Sequence, residues 1–164
     1  MIMKYITIFI ITFWSQFVFG QFEKTNKALI FVDSLKTEKI KISKQYHVSP
    51  NRYILTDLDN DSIIEIIEII NIIEDDIPGF LPIELSFAFD YHILYSFDNR
   101  LNKFVLKNTS DFEFYQKERE YFYKAWYNLI SNPKDLNQNL KDLVNENKKY
   151  FLKELNKLLI EVKN

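Results

Sequence analysis

Apolar residues recur along this chain at two different periods, and the changes of period mark out its elements. Ile83, Leu85, Phe87, Phe89, Tyr91, Ile93, Tyr95 and Phe97 occupy every second position, the spacing that lines one face of a strand. This predicts one long strand from Ile83 to Phe97 with an aromatic face. The opposite face, Glu84, Ser86, Ala88, Asp90, His92, Leu94 and Ser96, is expected to be its solvent side. Asp98 to Asn102 reads as a turn, and Lys103 to Lys107 as a strand pairing back. Beyond it the period lengthens. Tyr115, Phe122, Trp126 and Leu129 form a helical stripe behind Ser110-Asp111-Phe112-Glu113, which has the form of a capping box. Pro133 suits the first position of a second helix. Its stripe runs from Leu136 through Leu140, Leu143, Phe151, Leu155 and Leu158 to Val162, with a break expected near Asn145.

Upstream the signals are shorter. Ala28, Phe31, Val32 and Leu35 predict a helix over Gln21–Lys36, and the alternation around Lys39-Ile40-Lys41-Ile42 predicts a strand from Glu38 to Tyr46. Arg52 to Asp57 reads as a second strand. Ile63 to Ile73 carries a polar residue at every third position, matching neither period, and its β-branched content favours strand. Glu74 to Pro82, with Pro78-Gly79, is a link made of turn residues. The expected architecture is α+β: a mostly antiparallel meander covered on one face by two C-terminal helices. Phe89 and its aromatic neighbours should meet Phe122 and Trp126.

Composition bounds the setting. Residues 1–20 read as a signal peptide: Lys4 supplies the positive start, Ile6 to Phe13 the apolar stretch, and Val18-Phe19-Gly20 the cleavage site. The chain should therefore be exported, periplasmic or secreted, as a single domain over 21–164 with no membrane attachment after cleavage. With no cysteine it has no disulfide, no thiolate metal site and no lipid anchor at the cleavage point. The net charge is −2, and no basic stripe stands out, which argues against a nucleic-acid partner.

One stretch suggests a particular chemistry. Asp57, Asp59 and Asp61 stand at alternate positions, followed by Ile63, Glu65 and Glu68. Carboxylates so spaced on a turning segment can converge on a hard cation, and calcium accepts 6–8 oxygen ligands. The stretch resembles the D-x-D-x-D-G loops of EF-hands and of FG-GAP-type repeats over residues 57–68 only. The resemblance implies calcium as cofactor. Asp57, Asp59 and Asp61 would be its first ligands, Ile63 would give its carbonyl, and Glu65 or Glu68 would close the site. Closure by Glu68 belongs to the EF-hand form, and closure by Glu65 to a strand–loop–strand form. The sequence departs from both patterns at Ser62, where Gly is usual because the backbone turns there with φ > 0. The alternative is a solvated acidic turn.

Elsewhere the residues name no reaction. Ser, Asp and His share a face of the predicted strand, but neighbours two apart lie roughly 6.6–6.8 Å apart along it, beyond hydrogen-bond contact within a triad. Asp90, His92 and Glu84 make an incomplete zinc set. The layout of acidic-loop strand, aromatic strand and Tyr-x-Phe-Asp turn (Tyr95 to Asp98) is similar to that of small exported bacterial proteins of unknown function. The chain thus reads as a non-enzymatic exported protein with a structural calcium loop. The alternative function is a periplasmic inhibitor or immunity-type protein that binds another protein through the acidic loop without metal.

Overall fold

The Ile-rich segment that fits neither period is the centre of the molecule. In the computed structural model, which describes residues 23–38, 51–73 and 81–163, one antiparallel sheet runs β1 (Arg52–Thr56), β2 (Glu65–Asn71), β3 (Asp90–Asp98), β4 (Lys103–Lys107). Ile66 of β2 stands opposite Leu55 on one edge and Tyr95 on the other. Glu65 to Ile69 are buried in succession. Both faces of β2 are covered, so the strand needs no polar alternation. Four helices complete the described fold: α1 over 23–38, α2 (Ile83–Ser86), α3 (Glu113–Ser131) and α4 (Gln138–Glu161). The molecule is α+β, as the pattern predicts. The predicted signal peptide, the Pro78-Gly79 turn and all of the predicted strand beyond Glu38 lie outside the described residues; Glu38 itself closes α1.

Three apolar groups hold the layers together. On one face, Ala28 and Val32 of α1 bury against Ile66 and Phe104. Phe31 adds ring contacts to Tyr95 at 5.2 Å and to Phe104 at 5.1 Å. On the other face, Ile67, Ile69 and Leu94 are capped by Phe112 and Tyr115, at the start of α3. The largest group lies at the end of the sheet, where Ile73, Leu85, Ala88 and Phe89 meet Tyr123 and Ile130 of α3 and Val144, Phe151 and Leu155 of α4. The C-terminal helices therefore meet the aromatic run at Phe89 and Tyr91, with Phe122 and Trp126 packed against the same group. Further along, α1 covers Tyr95 and Phe97.

The long strand is shorter than its alternation predicts. Ile83–Ser86 is a helical turn and Phe87–Phe89 a 3-10 turn, so the strand begins at Asp90. Leu85, Ala88 and Phe89 are buried while Ile83 and Phe87 are exposed. Those three residues have helical spacing hidden inside the alternation, and burial against α3 and α4 selects it. The amides of Leu85 and Ser86 close the turn on the Pro82 carbonyl. Asn71 then pins the turn to β2 through the Ser86 carbonyl, 2.7 Å away.

The helix starts also shift. The capping box is formed by Asn108 and Asp111 around a 3-10 turn, two residues before the predicted pair. Glu113 instead pairs with Lys117 at 2.5 Å. Pro133 opens another 3-10 turn. Asn137 caps α4 by accepting from Leu140 at 3.0 Å, and α4 is unbroken at Asn145.

Candidate functional site

The acidic stretch is the loop that carries the chain from β1 to β2. Asp57, Asp59 and Asp61 are all exposed, and each offers a carboxylate oxygen within 4.8 Å of the others. Backbone amides hold this arrangement. Asp57 accepts from the amide of Asp61 at 3.2 Å and of Ser62 at 3.0 Å, and Asp61 accepts from that of Ile63 at 2.7 Å. To aim its amides inward the chain adopts φ 62° at Asn60 and φ 66° at Ser62. Asn tolerates that region; a serine there costs roughly 1 kcal/mol relative to glycine. Ser62 thus takes the backbone conformation for which calcium loops ordinarily use glycine. Among the described residues no Lys or Arg forms a salt bridge with Asp57, Asp59 or Asp61.

The two glutamates that follow go to different places. Glu65, 1 % exposed, accepts from the Leu58 amide and from the Ser96 hydroxyl, both at 2.9 Å. Burial raises its pKa, those two hydrogen bonds oppose the rise, and the charges of Asp59 and Asp61 add to it. Glu65 ties the loop entry to β3 and stands beside the aspartate group, with both oxygens engaged. Glu68 lies on the opposite face of β2, where Asn51, Tyr53 and Tyr95 hydrogen-bond its carboxylate. Burial, then the Glu68 charge, pushes the Tyr53 hydroxyl up to about 12. The cause of the separation is the strand itself: residues three apart face opposite ways, whereas an EF-hand's helix would bring Glu68 round. Ile63 is half-buried at the loop's exit.

A second polar group lies on the face expected to meet solvent. Asp90 and Ser96 are buried and His92 is half-buried, because α3 crosses this side of the sheet. The Asp90 carboxylate takes Arg52 on one oxygen and Asn71 on the other at 3.3 Å. The Asp90 carbonyl accepts from the Tyr123 hydroxyl and, at 3.4 Å, from Arg119. His92 Nδ1 bonds the Tyr115 hydroxyl. Burial, with the charges of Arg119 and then Arg52, lowers the His92 pKa to about 3, so the ring is neutral near pH 7. Burial also raises the Tyr115 pKa. The signal for this group lay in α3, where Tyr115, Arg119 and Tyr123 recur every fourth residue and so share one face. The zinc set is not assembled: Glu84 is exposed on α2, and with Asp90 and His92 it forms no metal-holding group among the described residues. Among the described residues Asp57, Asp59 and Asp61 are the one group with metal-ligating geometry. The chain matches no protein-family model, no curated protein and no solved structure.

Proposed function

We propose that the loop from Asp57 to Glu65 binds calcium and that the metal serves structure rather than catalysis. The observation that carries this is the convergence of three exposed carboxylates, uncompensated by any cation among the described residues, on a loop whose Ser62 has φ 66°. Like charges so placed repel, and a hard cation relieves the repulsion. Oxygen donors in a flexible loop suit calcium better than magnesium, which demands a stricter octahedron. Ligands beyond the three aspartates would be backbone carbonyls, Ile63 among them, and water. Glu65 carries one hydrogen bond on each oxygen, and each oxygen keeps a lone pair that could take the metal.

Thermal melts with calcium and with chelator test the reading. For a site of millimolar affinity, ~10 mM calcium stabilises the folded state by about 1.4 kcal/mol, a rise of about 3–5 °C for a domain of this size. Asp59→Ala should abolish the rise while leaving the chelated protein at least as stable. Ser62→Gly should tighten binding by relieving the backbone. Glu65→Gln should weaken the response and Glu68→Gln leave it intact. No calorimetric heat and unchanged melts at that concentration would remove metal from the account. The alternative, a metal-free acidic surface that docks a partner protein, would then remain.

Calcium is abundant outside the cytoplasm, and Lys4, Ile6 to Phe13 and Val18-Phe19-Gly20 support export. Mass spectrometry of the native protein should find a chain beginning at Gln21. An intact Met1 in a membrane fraction would contradict export. Among the described residues no helix is long and apolar enough to cross a membrane.

A further inference from the structure

We propose that the outer edge of β4 docks an extended segment of a partner protein that carries an acidic residue on either side of two apolar ones. β4 ends the sheet, and among the described residues only β3 pairs with it. Such an edge offers alternate amides and carbonyls to an incoming strand. Its side chains decide which strand fits. Phe104 and Leu106 lie opposite Phe97 and Tyr95, on the face that α1 covers. Leu106 is nevertheless 66 % exposed, and Ile30 of α1 is 62 % exposed. An open groove of about 280 Å³ separates α1 from the start of β4. Ile30, Phe31, Phe97 and Phe104 wall it, with Lys103 at its rim.

Lys103, Val105 and Lys107 alternate with Phe104 and Leu106 and so spring from the other face. Both lysines are exposed, and among the described residues neither forms a salt bridge. Asp98, opposite Lys103, instead accepts from the amides of Arg100 and Leu101 at 2.7 and 3.0 Å. Residues opposite one another in a strand pair share a face and interact. A segment antiparallel to β4 therefore meets Lys107 and Lys103 with its first and fifth residues. Its second and fourth meet Leu106 and Phe104, and the fourth enters the groove beside α1. Acidic residues suit the outer pair and apolar residues the inner one. Lysines on an edge strand commonly keep other strands away, and here they select. β4 paired with a second copy of itself about Val105 would set Lys103 against Lys107 twice, and like charges directly opposite are destabilising. An acidic strand meets no such repulsion.

The test titrates the full protein against a fluorescent peptide centred on Glu-Ile-Thr-Val-Glu and reads anisotropy. Saturable binding is expected, and Lys103→Glu with Lys107→Glu should weaken it about tenfold. That double variant should in turn gain affinity for a Lys-Ile-Thr-Val-Lys peptide. Leu106→Ser should weaken both interactions. All three residues are exposed, so thermal melts of the variants should match the wild type. Amide shifts in NMR spectra should concentrate on β4 and on Lys27 to Ser34 of α1. Asp59→Ala should leave binding unchanged, which separates this surface from the acidic loop. No binding at millimolar peptide would overturn the proposal, as would equal affinity for the same residues in scrambled order. Shifts confined to β1 or the acidic loop would overturn it too. Concentration-dependent dimerisation through β4, seen by sedimentation, would give the edge to a second copy and likewise overturn it.

Discussion

Phe89→Ala is expected to destabilise the domain by roughly 3–5 kcal/mol, the range for removing a large aromatic side chain from a core that cannot collapse around the space. Phe89 is fully buried, its ring 5.1 Å from that of Phe151. It sits on the 3-10 turn that delivers the chain into β3, and its carbonyl accepts from the Ile72 amide at 3.1 Å. The void would therefore open where sheet, α3 and α4 all meet, held apart by Tyr123, Ile130, Val144 and Leu155. Phe87, two residues earlier, is 40 % exposed and touches only the Arg52 guanidinium among the described ring contacts. Its replacement by alanine should cost about 1 kcal/mol or less. Urea melts of the two variants make the comparison. Equal losses, or a loss at Phe89 below about 1 kcal/mol, would place the core elsewhere.

Acid should unfold this protein through His92. Its pKa is about 3 in the folded state, lowered by burial first and by Arg119 and Arg52 after it. In the unfolded chain it returns to about 6.5. Unfolding then takes up a proton anywhere between the two values, so this contribution is complete above about pH 6.5 and drains as pH falls towards 3. At ~1.4 kcal/mol per unit, the loss across the window is on the order of 4–5 kcal/mol. Tyr115, Arg119 and Tyr123 face the ring from α3 and Arg52 from β1, and none of these loses positive charge in that range. Glu65 acts in the opposite sense: its raised pKa favours the folded state at low pH and offsets part of the loss. Urea midpoints measured from pH 7 to pH 4 should fall more steeply for the wild type than for His92→Gln. Parallel curves would mean that another group carries the acid sensitivity.

The parts of this protein that were legible in the sequence are those decided within a few residues. Asp57, Asp59 and Asp61 converge because alternate residues of one tight loop have nowhere else to go, and even the unusual backbone at Ser62 follows from that local turn. The stripe Ala28, Phe31, Val32 and Leu35 fixes α1 for the same reason, and the alternation from Tyr91 to Phe97 fixes β3. Which way Glu65 and Glu68 point depends on whether the segment after the loop is strand or helix; the Ile-Ile-Glu repeat matches neither period, and β-branched content favours strand. Pairing of β2 with β1 and β3 makes it a strand and sends Glu65 to Ser96 and Glu68 to Tyr53 and Tyr95 on the far side.

Tertiary structure alone decided what covers each face. Ile83 to Phe89 alternates as well as any strand, yet it also contains Leu85, Ala88 and Phe89 at helical spacing. Burying those three against α3 and α4 outweighs extending the sheet. Asp90, His92 and Ser96 read as a solvent side because polar residues usually meet water. Here Tyr115 of α3 bonds His92, and Tyr123 and Arg119 of α3 bond the Asp90 carbonyl. Arg52 and Asn71 hold the Asp90 carboxylate and Glu65 takes the Ser96 hydroxyl, partners that make the burial tolerable. A pattern along one segment records which residues share a face; only the packing of a distant segment decides whether that face is wet or dry.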